Sequence, residues 1–473
     1  MARARTPTIG DEHATRLTGA LRALARTPLD GARGLPELTG LRAPPKPIFT
    51  LPQDNVILGA IGVLAASGKV YAHGRDVVYE TNALDGGGQT LTHLRIGSEV
   101  QPGAECRLAN LFTCRDGETQ FPPPRWFAHV LLTSDLLYER LPRIRTYANR
   151  PVFDANFHLR PPGWSEGPGI LVHGPHVEPV PPEPADPNRT ALDRLPRHLR
   201  ELLGGFCFRS CADVANALSM LLTGLLANHF VEAGKGVFLL DGNQPGLGKT
   251  LLVRVAGMVL DGADPRLISY AADDEELLKR ICALLRGSLQ SLVLVDNAKA
   301  TTGGVISSPA VEANSVAPTL ALRILGRSET IARPNDLLWV LTMNDTRVSP
   351  DLASRGVPVR LAYEGRAEAR AFPGPDPVRY ARQHRLEILG ELAGMVVSWN
   401  RAGRPTGPRS HRCHEWAGVV GGILNAAGFS EFLANADEAA TAFNAQLDEL
   451  AGLAEVVVVS GGPFIEIHHA NEE

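Results

Sequence analysis

The chain has 473 residues, of which 44% are hydrophobic and 21% charged, with a formal net charge of −4 and six cysteines. That length predicts two or three domains rather than one core, and the balance is that of a folded, soluble, cytoplasmic protein. It excludes a membrane span, since no run of about 18 apolar residues occurs; it also argues against a disulfide framework or zinc finger, the cysteines being scattered without the required spacing.

In chain order, the opening 45 or so residues read as helical, and "MARARTPTIGDEHATRL" carries Asp11 and Glu12, which argue against a transit peptide. "DNVILGAIGVLAASGKVYAHGRDVVYE" predicts an amphipathic helix followed by short strands, "FPPPRW" an internal break, and "RPVFDANFHLRPPGWSEGPGILVHG" strands separated by Gly/Pro turns. Residues 1–173 are therefore expected to form an α+β N-terminal domain. In "GPHVEPVPPEPADPNRT", residues 174–190, repeated prolines forbid helix and central strand, so an extended linker between two independent units is expected.

Beyond the linker, "SCADVANALSMLLTGLLANHF" is apolar on more than one face and predicts a buried helix. The apolar runs "GVFLLDG", "SLVLVD" and "LLWVLTMN" then alternate with helical patterning, which predicts a parallel sheet covered on both faces, a P-loop type of α/β core over residues 191–365. "LLDGNQPGLGKTLLVRVAG" sets a strand, a glycine-rich loop and a helix in immediate succession, the context of a phosphate-binding loop. Gly246, Leu247, Gly248, Lys249, Thr250 and Leu251 are its candidate binding residues: the glycines let backbone N–H groups turn to phosphate oxygens, Lys249 reaches the outer phosphates and Thr250 ligates Mg²⁺. Asn243 stands where the eight-residue pattern has its first glycine. Asp296, closing "LVLVD", is the second metal-site candidate, and Asn344, closing "LLWVLTMN", a candidate for orienting an attacking water. Residues 366–473 return to helical periodicity, in "RLEILGELAGMVVSWNRAG", "CHEWAGVVGGILNAAGFSEFLANA" and "EAATAFNAQLDELAGL", and predict a helical C-terminal domain.

The ordered set of loop, Asp296, Asn344 and Arg355 resembles the AAA+ ATPases, and "DDEELLKRICALLRGSLQSLVLVDN", "LALRILGRSET", "LLWVLTMNDTRVSPDLASRGVPVRL" and "EWAGVVGGILNAAGFSEFLAN" resemble more narrowly the superfamily 3 helicase modules of phage, plasmid and integrative-element primase-helicases. The resemblance covers most of the chain from about residue 145 and is strongest from 236 to 435. It implies ATP and Mg²⁺ as ligands, Arg355 as an arginine finger projecting from the subunit's edge into a neighbour's site, and hence a homo-oligomeric ring, a hexamer. The alternative for Arg355 is a surface arginine paired with Asp351. The resemblance also implies a hairpin between Asp296 and Asn344 that lines a pore on single-stranded or forked DNA, where Lys299, Arg323, Arg327 and Arg333 are the candidate contacts; the alternative for Arg327 and Arg333 is solvated loop charge. No primase constellation accompanies these motifs.

Many AAA+ proteins place a glutamate after the metal-site aspartate, and here the residue is Asn297, which can position water but cannot take its proton. Glu275, Glu276 and Glu312 are the available replacements. Three functional expectations remain: an ATP-dependent ring helicase or translocase, an ATP-binding switch with slow or no hydrolysis that assembles on DNA, and a nucleotide-dependent sensor with a partner-recognising N-terminal domain.

Overall fold

Short apolar runs cut by proline and glycine give the first part of the chain short elements. In the computed structural model these are β1 (Ile48–Thr50), α1 (Val56–Ala66), β2 (Val70–His73), β3 (Asp76–Asn82), β4 (Gln89–His93), β5 (Thr113–Asp116), β6 (Thr119–Phe121), α2 (Arg125–Leu132), α3 (Asp135–Arg140), β7 (Arg143–Ile144), β8 (Thr146–Ala148), β9 (Gly163–Ser165) and β10 (Ile170–Val172). The structure describes residues 47–50, 56–73, 76–82, 89–94, 107–116, 118–174, 176–183, 186, 188–287, 290–299, 305–323, 330–344, 347–370, 372, 374–407 and 410–436. The chain divides into two units, Met1–Pro47 and Ile48–Glu473. The helix expected over the opening residues, and the last expected helix, from Glu438 onward, lie outside the described residues.

The early strands pair as β1-β5-β6, β4-β3-β2-β7 and β8-β10-β9. Ala60 and Leu64 of α1 pack with Phe112, and with Phe127 and Leu131 of α2, in one buried cluster. The break expected at "FPPPRW" is the turn from β6 to α2.

Next come α4 (Ala191–Arg194), α5 (Arg197–Leu203), α6 (Cys211–Leu225), β11 (Val237–Gly242), α7 (Lys249–Asp261), β12 (Leu267–Ser269), α8 (Asp274–Gly287), β13 (Leu292–Ala298), β14 (Val305–Ile306), α9 (Pro309–Val316), β15 (Thr319–Arg323), β16 (Thr330–Pro334), β17 (Leu338–Met343), β18 (Arg347–Val348), α10 (Pro350–Arg355), β19 (Gly356–Leu361), α11 (Pro377–Gln383), α12 (Arg385–Arg401) and α13 (His414–Ala426). Five of the strands form a sheet in the order β12-β13-β17-β11-β19, with every pairing parallel. All six residues of β11, β17 and β19 are buried. Helices on both faces account for that burial and for the unbroken apolar runs in the sequence. Strand β11 lies between β17 and β19 although it precedes both, so the winding reverses around it. At such a reversal the carboxyl ends of parallel strands leave a crevice.

Two expectations about domain organisation are corrected. The C-terminal helices share one core with the sheet, since Leu252 of α7, Val340 of β17, Ile388 of α12 and Trp416 of α13 belong to a single buried cluster. The proline-rich segment is extended as expected, yet it does not separate independent units. The Val180 N–H donates to Gly390 O at 2.9 Å, and Val177 is only 4% exposed. Gly390 and Gly394, one helical turn apart on α12, form the groove beneath it: a Cβ on Gly394 would lie 1.7 Å from Val180 O. Residues before the segment are bonded to those after it, Arg150 to Ser291 Oγ at 2.6 Å and Arg385 to Asn149 O at 2.6 Å.

Candidate functional site

Strand β11 ends at Gly242, where an added Cβ would meet Lys249 Nζ at 3.0 Å, so the absence of a side chain there makes room for the lysine. The loop that follows turns through Gly246 (φ 82°) and Gly248 (φ 97°), a left-handed backbone that glycine adopts at little cost. Gly248 is the N-cap of α7 and supplies no side-chain acceptor, which leaves the first-turn amides as donors for an anion.

Five side chains meet at this loop: Lys249 and Thr250 from the first turn of α7, Asp296 from β13, Thr342 from β17 and Asn344 just beyond its end. Lys249 is buried, and its Nζ donates to Asn344 Oδ1 at 2.7 Å and to Gln244 O at 3.3 Å. Burial lowers the lysine's pKa, while the carboxylates Asp241 and Asp296 act in the opposite direction. Thr250 Oγ1 donates to Asp296 Oδ1 at 2.8 Å, and Thr342 Oγ1 is 2.6 Å from the same oxygen. The cleft above them, of about 370 Å³, is lined by Gly246, Gly248, Lys249, Thr250, Asp296, Thr342 and Asn344 among others, with Asp296 the one carboxylate among the described residues of its lining. The lining also includes Leu251 and Asn297, whereas Leu247 is buried beneath the loop.

Asn297 has a backbone reason to be where it is. The β13–β17 register shifts between Val295 and Ala298, and Asn297 at the shift has φ 57° with an exposed side chain. Asparagine enters the left-handed region far more readily than glutamate does. The bulge interrupts the ladder, and the Asn297 N–H donates instead to Thr342 Oγ1 at 2.9 Å.

Other predicted residues are placed elsewhere. Arg355 is 7% exposed, paired with Asp351 at 2.7 Å and bonded to Glu312 O. The expectation that it projects from the edge is therefore not met in the single chain, and it does not line the cleft. The pairing with Asp351 is present, but on a buried side chain rather than a surface one. None of the three replacement glutamates lines the cleft: Glu275 pairs with Lys279, Glu276 with Arg280, and Glu312 accepts from Ser349 Oγ.

The hairpin expected between Asp296 and Asn344 is present as the antiparallel pair β15–β16, in register from Thr319↔Pro334 to Arg323↔Thr330. Lys299 and Arg323 are exposed, and Arg327 lies outside the described residues. Arg333 is a correction: it is buried and bonded to Asp336 at 2.9 Å, because the hairpin base is packed rather than solvated. Asn335 anchors that base, accepting from Trp339 Nε1 at 3.1 Å and, through its carbonyl, from Lys235 Nζ at 2.6 Å.

The sequence pattern does not single out Thr342 or Gln244, and it marks Asn243 only as a departure from the glycine pattern. A hydroxyl inside the otherwise apolar, fully buried run "LLWVLTM" must find partners, and that was the available signal for Thr342. Asn243, the departure from the glycine pattern, donates through Nδ2 to Tyr363 O at 3.2 Å and accepts from Tyr363 N at 3.3 Å. Gln244 Nε2 donates to Gly365 O at 2.7 Å, and its Oε1 accepts from Ala367 N at 3.1 Å.

No family model and no curated protein matches the sequence. Among solved structures, the chain is similar to the A form apo structure of the NrS-1 C-terminal region, at 12% identity and a TM-score of 0.40 over 71% of this chain and 68% of that one. A second apo structure of that region aligns at 12% identity and a TM-score of 0.39, covering 72% and 69% of the two chains. The JCV helicase aligns at 14% identity and a TM-score of 0.22, covering 53% and 74%.

Proposed function

We propose that the cleft binds Mg·ATP and that the chain is an ATP-hydrolysing, ring-forming DNA helicase or translocase of the kind used in phage or mobile-element replication. The observation that supports this best is the convergence of Lys249, Thr250, Asp296 and Asn344 at one glycine-rich loop on the carboxyl edge of a parallel sheet. The donor set fits the ligands: a threonine hydroxyl beside a carboxylate suits a hard divalent cation, and glycine-bracketed amides with a buried ammonium suit phosphates. When bound, ATP supplies the transferable phosphoryl group and Mg²⁺ the charge that neutralises it.

In this reading the loop amides and Lys249 hold the outer phosphates, Thr250 and Asp296 hold the cation, and Asn344, already in contact with Lys249, orients a water by hydrogen bonding. Asn297 faces the cleft mouth and positions without removing a proton. Lys299 and Arg323 are the candidate contacts to single-stranded DNA. Arg355 would act in trans only if a neighbouring subunit drew it from its pair with Asp351. Steady-state ATP hydrolysis with and without single-stranded DNA is the test: turnover that rises with DNA and is lost in Lys249→Ala supports the proposal, and ATP binding without turnover under any DNA condition overturns its enzymatic part.

A second reading, an ATP-binding switch, is favoured by one observation: among the described residues Asp296 is the only carboxylate lining the cleft, and it is committed to two hydroxyls. Oligomerisation driven by ATP binding alone would select it.

A further inference from the structure

We propose that Thr342 is a positioning residue that fixes the Asp296 carboxylate for a divalent cation and pins the bulge at Asn297. The proposal rests on the nucleotide reading of the cleft. Thr342 is 3% exposed, the one hydroxyl in the buried strand β17. The direction of its hydrogen bonds follows from the partners. A backbone N–H can only donate and a carboxylate can only accept, so the chain runs Asn297 N–H to Thr342 Oγ1 at 2.9 Å and Thr342 O–H to Asp296 Oδ1 at 2.6 Å. One hydroxyl therefore ties the bulge's main chain to the carboxylate beside it.

Asp296 Oδ1 takes a second donor, Thr250 Oγ1 at 2.8 Å. The two threonines are not equivalent. Both line the cleft, but Thr250 lies in the first turn of α7 and can turn its oxygen toward a cation. Thr342, 3% exposed in the sheet, is held from both sides, by the Asn297 N–H and by Asp296, and it would continue to hold Oδ1 after Thr250 had turned. A carboxylate left without that bond can rotate about its own side chain, and outer partners of this kind typically control metal affinity by about 10- to 100-fold.

The test is equilibrium binding of a fluorescent ATP analogue, titrated with Mg²⁺ and repeated in EDTA, on the wild-type chain and on Thr342→Ser, Thr342→Val and Thr342→Cys. Serine keeps the hydroxyl, valine keeps the shape without it, and cysteine offers only a weak donor. We expect the Mg²⁺ half-saturation to rise about tenfold in Thr342→Val, to rise in Thr342→Cys, and to stay within about threefold in Thr342→Ser, with analogue binding in EDTA unchanged. Thermal melting accompanies each variant, and Thr342→Cys carries the comparison if Thr342→Val does not fold. An unchanged Mg²⁺ dependence in the variants that lack the hydroxyl overturns the positioning role while leaving the nucleotide reading intact. A wild-type chain that does not bind the analogue, with Lys249→Ala indistinguishable from it, overturns the nucleotide reading and this inference with it.

Discussion

Gly394→Ala adds one methyl group to α12, and the structure gives it no room. The new Cβ would lie 1.7 Å from Val180 O and 2.3 Å from Val180 C, backbone atoms that no side-chain rotation can move aside. The proline-rich strap must lift. Lifting it removes the Val180 N–H to Gly390 O bond, about 1 kcal/mol, and exposes Val177, now 4% exposed, about 1.5–3 kcal/mol. The gain from replacing glycine by alanine inside a helix, about 1 kcal/mol, offsets part of this. The net cost is about 1.5–3 kcal/mol, and hydrogen exchange at the Val180 amide should accelerate by about tenfold to a hundredfold. Gly62→Ala is the matched control: it lies in α1 with nothing within 4 Å of an added Cβ, so the same substitution should be neutral or stabilising by up to about 1 kcal/mol. Unchanged Val180 protection in Gly394→Ala would refute a docked strap, whatever happened to overall stability.

Other outcomes are equally specific. Asn297→Gly should be neutral within about 0.5 kcal/mol and Asn297→Ala destabilising by about 1 kcal/mol in chemical denaturation, because only the left-handed backbone distinguishes them; Asn297→Glu should carry a similar cost and should not raise ATP turnover. Arg333→Ala should destabilise by about 3–5 kcal/mol by leaving Asp336 buried without its partner, whereas Arg323→Ala should weaken single-stranded DNA binding and reduce its salt dependence, measured by fluorescence anisotropy, with no loss of stability. Burial holds His73 and His411 down at about 4. Their protons bind more tightly in the unfolded chain, so the stability they contribute is complete above about pH 6.5 and is lost as pH falls toward 4, by at most about 1.4 kcal/mol per unit for each. Denaturant midpoints between pH 7.5 and 4.5 check this, and His411→Gln should flatten the slope.

What the sequence could reveal was local. The strands ending at Asp296 and Asn344 and the loop ending at Thr250 are each contained in a short window whose apolar run fixes burial and whose polar residue fixes the strand end. The sheet order then brings them together. Arg355 was beyond such reasoning, because its burial depends on Glu312, from a helix in a different part of the chain. The strap was legible as extended, since proline dictates that, but its docking required Gly390 and Gly394, whose pairing with Val177–Val180 no local pattern signals. Arg333 differs again: Asp336 stands three residues away, so the pair was in plain view, and only the packing of the hairpin base made it obligatory.

Asn243, which stands at the first-glycine position of the loop, and Gln244 beside it clamp the loop to the chain leaving β19 at Tyr363, Gly365 and Ala367. The two segments are thus tied by hydrogen bonds from both side chains to main chain rather than merely lying in contact. A glycine at position 243 would restore the standard pattern at the expense of both bonds that Asn243 makes to Tyr363, leaving the phosphate loop tethered to the chain beyond β19 by Gln244.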